Sequence, residues 1–166
     1  MHYSGGGVIN AGPGASQSLR ALAAETGFPI TSTLMGLGCY PASGKGWMGM
    51  LGMHGTYEAN MAMHGCDFML CLGARFDDRI TGRLDAFSPD SFKVHVDIDP
   101  SSINKNVHFD EPIVGDVVRV IDQILEVWRA RGCLRGMLVH GNWQMFMQTS
   151  GDEPAPFRWH PKAADC

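Results

Sequence analysis

The stretch that most constrains this chain is Asp67 to Leu72, DFMLCL, which is apolar from Phe68 onward without any alternation and is followed at once by Gly73. A short run of that kind reads as a strand covered on both faces, and such strands belong to parallel sheets. The neighbouring segments fit that reading. Ala15 to Thr26 places Leu19, Leu22, Ala23 and Thr26 on one helical face and stops at Gly27 and Pro29. Pro29 to Thr33 is a β-branched run that reads as a buried strand, and Thr56 to His64 reads as a short helix stopped by Gly65. Between them, Met35 to Met53 is rich in glycine and methionine and reads as loop, as does the polar stretch Gly73 to Pro89. Phe92 to Ile98 alternates, with Val94, Val96 and Ile98 to one side, and Pro112 to Val114 is a brief strand. Asp116 then caps a helix whose inner face carries Val117, Ile121, Ile124, Leu125 and Trp128, with Arg129 and Arg131 at its end and Gly132 as its stop. Strands alternating with helices define an α/β fold with a parallel sheet and helices on its faces. From Cys133 to Cys166 the pattern fades, and that segment reads as an irregular tail.

Composition narrows the function classes. The 166 residues suit one domain, and a hydrophobic share of 45% excludes wholesale disorder. Thirteen basic against seventeen acidic side chains give a net charge of −4 without a basic run, which argues against nucleic-acid and membrane partners. Five cysteines without a CxxC pair read as buried or incidental thiols, and the absence of a signal-peptide pattern points to a cytoplasmic setting. The histidines, including His54 and His64, lack metal-ligand spacing.

In a parallel sheet, ligands bind outside the carboxyl ends of the strands, where every chemically suggestive loop of this chain falls. Gly5-Gly6-Gly7, with Gly12-Pro13-Gly14 before a helix, either lets backbone amides approach an anion or is a turn-rich strand exit; it is not GxGxxG. Gly73-Ala74-Arg75-Phe76-Asp77-Asp78-Arg79 puts four charges directly after the buried strand. Its arginines can fork onto phosphate, or the run can be a self-satisfied surface cluster. Asp97, at the end of the alternating strand, is placed to hold a ribose hydroxyl, whereas Asp99 fits a turn or cap better. It lies about ninety residues beyond the glycines, against about 20 in the dinucleotide fingerprint. Gly115-Asp116 repeats the glycine-plus-acid pair, and a helix N-cap explains it equally well.

The runs SGGGVI, PITSTLMGLGCYP, MLGMHGTYEANMAMHGCDFMLCLGARFDDRITGRL, VHVDIDPSSINKN and PIVGD, in this order, resemble the central domain of the acetohydroxyacid synthase (acetolactate synthase) large-subunit family over Tyr3 to Arg131. Members of that family depend on thiamine diphosphate. The resemblance implies a six-stranded parallel, Rossmann-like sheet with helices on both faces, spanning residues 1–132 and binding FAD. By the same resemblance, flavin contacts fall on Gly5, Gly6, Gly7, Thr33, Leu34, Met35, Leu51, Gly52, Met53 and His54. They continue at Gly73, Arg75, Asp77, Arg79, Ile80, Asp97, Ile98, Gly115 and Asp116. Asp78 and Arg79 would lie near the mouth of the active-site channel, where herbicide-type inhibitors bind.

The family's thiamine diphosphate and Mg²⁺ sit between its first and third domains, and neither the activating glutamate nor the metal-binding motif has a match here. The resemblance therefore implies a fragment with no catalytic residue or metal ligand of its own, inactive alone. Other domains or subunits of a homo-oligomeric parent would be its partners. Only Met1-His2-Tyr3 precede the SGGG run, so the first strand is expected to be truncated, with unpaired backbone beside it. A stand-alone, non-catalytic nucleotide-binding or subunit-interaction module is the alternative. An NAD-dependent oxidoreductase is disfavoured by the missing GxGxxG.

Overall fold

A computed structural model describes residues 1–131. Six strands make one all-parallel sheet: β1 (His2–Ser4), β2 (Ile30–Ser32), β3 (Trp47–Met50), β4 (Phe68–Leu72), β5 (Phe92–Asp97) and β6 (Glu111–Val114). Their spatial order is β3-β2-β1-β4-β5-β6, so the winding reverses between β1 and β4. The helices are α1 (Gly6–Asn10), α2 (Pro13–Thr26), α3 (Tyr57–His64), α4 (Asp78–Thr81) and α5 (Val117–Ala130).

The period-two pleat sorts the strand side chains onto two cores. Leu70, Leu72, Val94 and Val96 join Val8 of α1, Leu19 and Leu22 of α2, and Ile121 and Leu125 of α5. On the other face, Tyr3, Met69 and Cys71 pack with Ala59 and Met63 of α3 and with Phe76, Phe87, Val107 and Phe109 from the loops. The fully covered central strand read from DFMLCL is β4.

The first strand is short, three residues, but it is not left open. Its register His2↔Ile30 and His2↔Leu70 pairs it on both sides, and Met1 extends the ladder by accepting from the Leu70 amide at 3.0 Å and donating to the Phe68 carbonyl at 2.6 Å. The sheet's edges are β3 and β6 instead.

Three local readings need correction. The glycines do not form an open loop, because Gly6 and Gly7 begin α1. The stretch Met35–Met53 contains β3, a strand whose Gly49 and methionines hide its alternation. Ile98 does not continue the inner face of β5, since the strand ends at Asp97 and Ile98 is 72% exposed. The α5 face is as read, with Val117, Ile121 and Leu125 buried and Trp128 set edge-on against Phe28; Val120 is buried as well. Gly132, Cys133, Cys166 and the tail 133–166 lie outside the described residues.

Candidate functional site at the carboxyl edge of the sheet

Because all six strands run parallel, all six exit loops emerge at one edge. The predicted site residues follow the strands in this way: Gly5, Gly6 and Gly7 after β1, Thr33, Leu34 and Met35 after β2, and Leu51, Gly52, Met53 and His54 after β3. Gly73 through Ile80 follow β4, Asp97 ends β5 ahead of Ile98, and Gly115 and Asp116 follow β6. They span the whole edge rather than one notch.

At the winding reversal the glycines meet each other. Gly5 N–H donates to the Leu72 carbonyl at 2.9 Å and Gly7 N–H to the Gly73 carbonyl at 3.0 Å. A Cβ on Gly5 would stand 2.2 Å from the Gly73 oxygen, and one on Gly7 would stand 2.8 Å from the Gly73 Cα. Two backbones touch here with no room for side chains. The glycines are therefore needed for chain crossing, which leaves a floor without side chains at the switch point.

On the β2–β3 side the edge is apolar and exposed. Thr33 caps a short 3₁₀ turn by accepting from Gly36 N–H at 3.0 Å, and the turn lifts Leu34 and Met35 out to 66% and 73% exposure. Met53 is similarly exposed, whereas the Leu51 side chain is buried in the core, so only its backbone faces the edge. Asn60 holds the Gly52 peptide through both amide groups, at 2.8 and 3.0 Å. Gly52, at φ +101, abuts the Arg79 carbonyl and Ile80, and Met53 N–H donates to that carbonyl at 2.9 Å. The loops after β3 and β4 are thus brought together.

The charged loop is only loosely self-satisfied. Arg75 reaches Asp77 at 3.4 Å and Arg79 reaches Asp78 at 3.9 Å, all four side chains being more than half exposed. Exposed pairs of this length contribute about 0–1 kcal/mol, so the guanidiniums are not committed to them. At the β5–β6 end the acids do two things. Asp97 accepts from Asp99 N–H at 2.9 Å and Asp99 accepts from Ser101 N–H at 2.9 Å, so both close turns. Ser101 hydrogen bonds also hold the Asp99 carboxyl below the usual carboxylate range. Asp116 caps α5 through the amides of Val118 and Arg119, as the capping alternative expects.

Sequence reasoning missed the support below this loop. Phe76 is buried although both its neighbours are exposed, and His95 donates from Nε2 to the Ala74 carbonyl at 2.8 Å. Burial lowers the pKa of His95, so the ring stays neutral and the Nε2–H tautomer is set by the carbonyl. No motif announces such residues. The one sequence signal is Phe76, an apolar residue amid charges.

Residues 1–124 match the family model for the thiamine pyrophosphate enzyme, central domain. The chain belongs to that family. The match contains every strand and every predicted site residue of this central domain, from Gly5 to Asp116. An acetolactate synthase from Mycobacterium avium is 47% identical over 145 residues, covering 87% of this chain and 23% of the relative. Acetolactate synthase isozyme 3 large subunit from Escherichia coli is 43% identical over 155 residues, covering 80% and 27% respectively. An acetolactate synthase from Mycobacterium leprae is 50% identical over 127 residues, covering 76% and 20%. The chain thus spans about a quarter of the length of these relatives. Among the described residues, no helix is long and apolar enough to cross a membrane.

Proposed function

We propose that residues 1–132 are the FAD-binding central domain of an acetolactate synthase large subunit. In the intact enzyme, two 2-oxo acids are joined after one is decarboxylated, in branched-chain amino-acid synthesis. The observation that carries the flavin reading is the graded chemistry of the carboxyl edge. Leu34, Met35 and Met53 make one end apolar and exposed. Gly5, Gly7 and Gly73 give the centre its bare backbone floor, with Arg75 two residues beyond Gly73 and exposed. Asp97 and Asp116 supply carboxylates at the far end.

Five inter-strand steps of about 4.8 Å make an edge of about 24 Å, which suits an elongated ligand better than a mononucleotide. A flat apolar ring fits the first end, a pyrophosphate fits the centre, and nucleoside hydroxyls fit the acidic end. The structural observation behind that fit is the direct backbone contact of Gly5 and Gly7 with Gly73, which keeps side chains off these three positions at the centre of the edge.

When bound, the flavin would supply an aromatic surface and two phosphates, and the family resemblance gives it no net redox role in acetolactate formation. The chain's own residues bind and orient it: Gly5, Gly6 and Gly7 by close backbone approach, Arg75 and Arg79 by charge, and Leu34, Met35 and Met53 by apolar contact. No residue of this chain is proposed as a ligand for thiamine diphosphate or Mg²⁺, which belong to the parent enzyme. Other domains or subunits of a homo-oligomeric parent, in a cytoplasmic setting, complete the reading.

The deciding measurement is a titration of the purified chain with FAD, followed by the visible flavin spectrum and quenching of flavin fluorescence. Saturable binding with a shifted spectrum is expected. A folded chain that leaves high-micromolar FAD unaltered would sink the reading, and saturable binding of NAD instead would replace it.

A further inference from the structure

The loop after β4 carries a backbone feature that its charged residues do not explain. Phe76 adopts φ 56, a left-handed conformation that is unfavourable for a bulky side chain. Its ring is nevertheless enclosed by four others, with centroids at 4.9 Å for Phe109, 5.1 Å for Tyr3, 5.5 Å for His95 and 5.6 Å for Phe87. The enclosure over-determines the conformation.

On the outer side a single amide completes the arrangement. Asn106, from the loop after β5, donates through Nδ2 to the Phe76 carbonyl at 3.0 Å and lies 3.4 Å from the Arg75 carbonyl. Consecutive carbonyls of an extended segment point to opposite sides, so they cannot share one donor. The left-handed turn at Phe76 brings both to the same amide. Between the ring cage below and the amide above, the Arg75 backbone is held from two sides while its side chain stays exposed, with only the loose Asp77 pair at 3.4 Å.

We propose that Asn106 is a positioning residue for the ligand edge: by holding the Arg75 and Phe76 carbonyls together, it fixes the turn that presents the Arg75 guanidinium to the anionic centre of a bound dinucleotide. This rests on the flavin reading, and the test separates the two. Asn106 is itself exposed, so its replacement leaves both cores intact.

The experiment is a double-mutant cycle in the full 166-residue chain, with FAD affinity read by fluorescence titration and folding checked by thermal melting of each ligand-free variant. Arg75→Ala is expected to weaken FAD binding about tenfold and Asn106→Ala about fivefold, with the double variant no weaker than Arg75→Ala alone. Asn106→Asp, which keeps the shape but replaces the amide donor with a carboxylate, is expected to lose at least as much as Asn106→Ala. Independent losses that multiply to about fiftyfold in the double variant would overturn the positioning role. So would parent-like affinity in either Asn106 variant. If the parent chain itself binds no FAD, the flavin reading falls and takes this proposal with it.

Discussion

The two faces of the sheet are built on different principles. One is covered by α2 and α5, each 14 residues long, whose buried positions recur at helical spacing and whose N-termini carry Pro13 and the Asp116 cap. The other is covered by α3 with 8 residues, α4 with 4, and loops that contribute Phe76, Phe87, Val107 and Phe109. All three non-glycine residues with positive φ among those described, Phe76, Ser88 and Asn104, sit in these loops. Regular helices satisfy their own backbone and leave little freedom to aim a side chain. The irregular face accepts the strained turn at Phe76 because buried rings hold it, and it carries the loop that exposes Arg75 and Asp77. Stability and presentation are thereby divided between the faces.

The sharpest way to break that division is to damage the helical face. Ile121 is fully buried between α5 and the sheet, and Ile121→Ala is expected to cost about 2–5 kcal/mol of stability. Urea denaturation followed by circular dichroism measures this. FAD affinity, corrected for the folded fraction, is expected to be unchanged, and a direct loss of affinity would show that the faces are not separable.

Acid probes both faces at once through their buried histidines. His2, under the helical face, bonds through Nε2 to Thr26 Oγ1 at 2.9 Å, and burial pushes its pKa down from 6.5 to about 3. His95, under the irregular face, is also held down by burial. Between pH 6.5 and about 3 the unfolded chain takes up a proton at His2 that the folded chain refuses, so stability falls as pH drops through that window. Melting midpoints from pH 7 to pH 4 should therefore decline, and His2→Gln should flatten part of the slope. A parent whose midpoint holds constant over this range would contradict the buried neutral state.

A smaller effect tests the crossing point between β1 and β4. Gly5→Ala must push the Gly73 carbonyl aside, for which overpacking of about 1–3 kcal/mol is the expected cost. The same substitution should weaken FAD binding, because the displaced backbone is the proposed cradle. Parent-like stability would mean that the two loops can part freely.

How much of this was legible beforehand follows the same division. DFMLCL gave away the central strand, and the spacing of Val117, Ile121 and Leu125 gave away α5, because periodicity is local and repeats along the chain. The carboxyl edge was legible too, since a parallel sheet sends every exit loop to one side. β3 was hidden, because Gly49 and three neighbouring methionines carry no strand preference and its pairing with β2 is a tertiary event. The reason for the triple glycine was also out of reach, because the residue it must avoid is Gly73, distant in sequence. Phe76 looked like an interruption in a charged run. Its role depends on four rings drawn from two strands and two loops, and no local pattern encodes that.

At Asp116 both principles act on one residue. Its Oδ1 accepts from Val118 N–H at 3.0 Å and from Arg119 N–H at 3.2 Å, which serves the helical face, and the flavin reading also gives it a place at the acidic end of the edge. Asp116→Ala removes the cap and is expected to cost about 1 kcal/mol, together with any ligand contact. Asp116→Asn keeps a capping oxygen of equal quality but removes the charge. If Asp116 serves the ligand, the asparagine variant should melt like the parent while binding FAD more weakly. If it serves only α5, the asparagine variant should match the parent in both measurements, and the edge would be left with Asp97 as its sole acid toward the nucleoside.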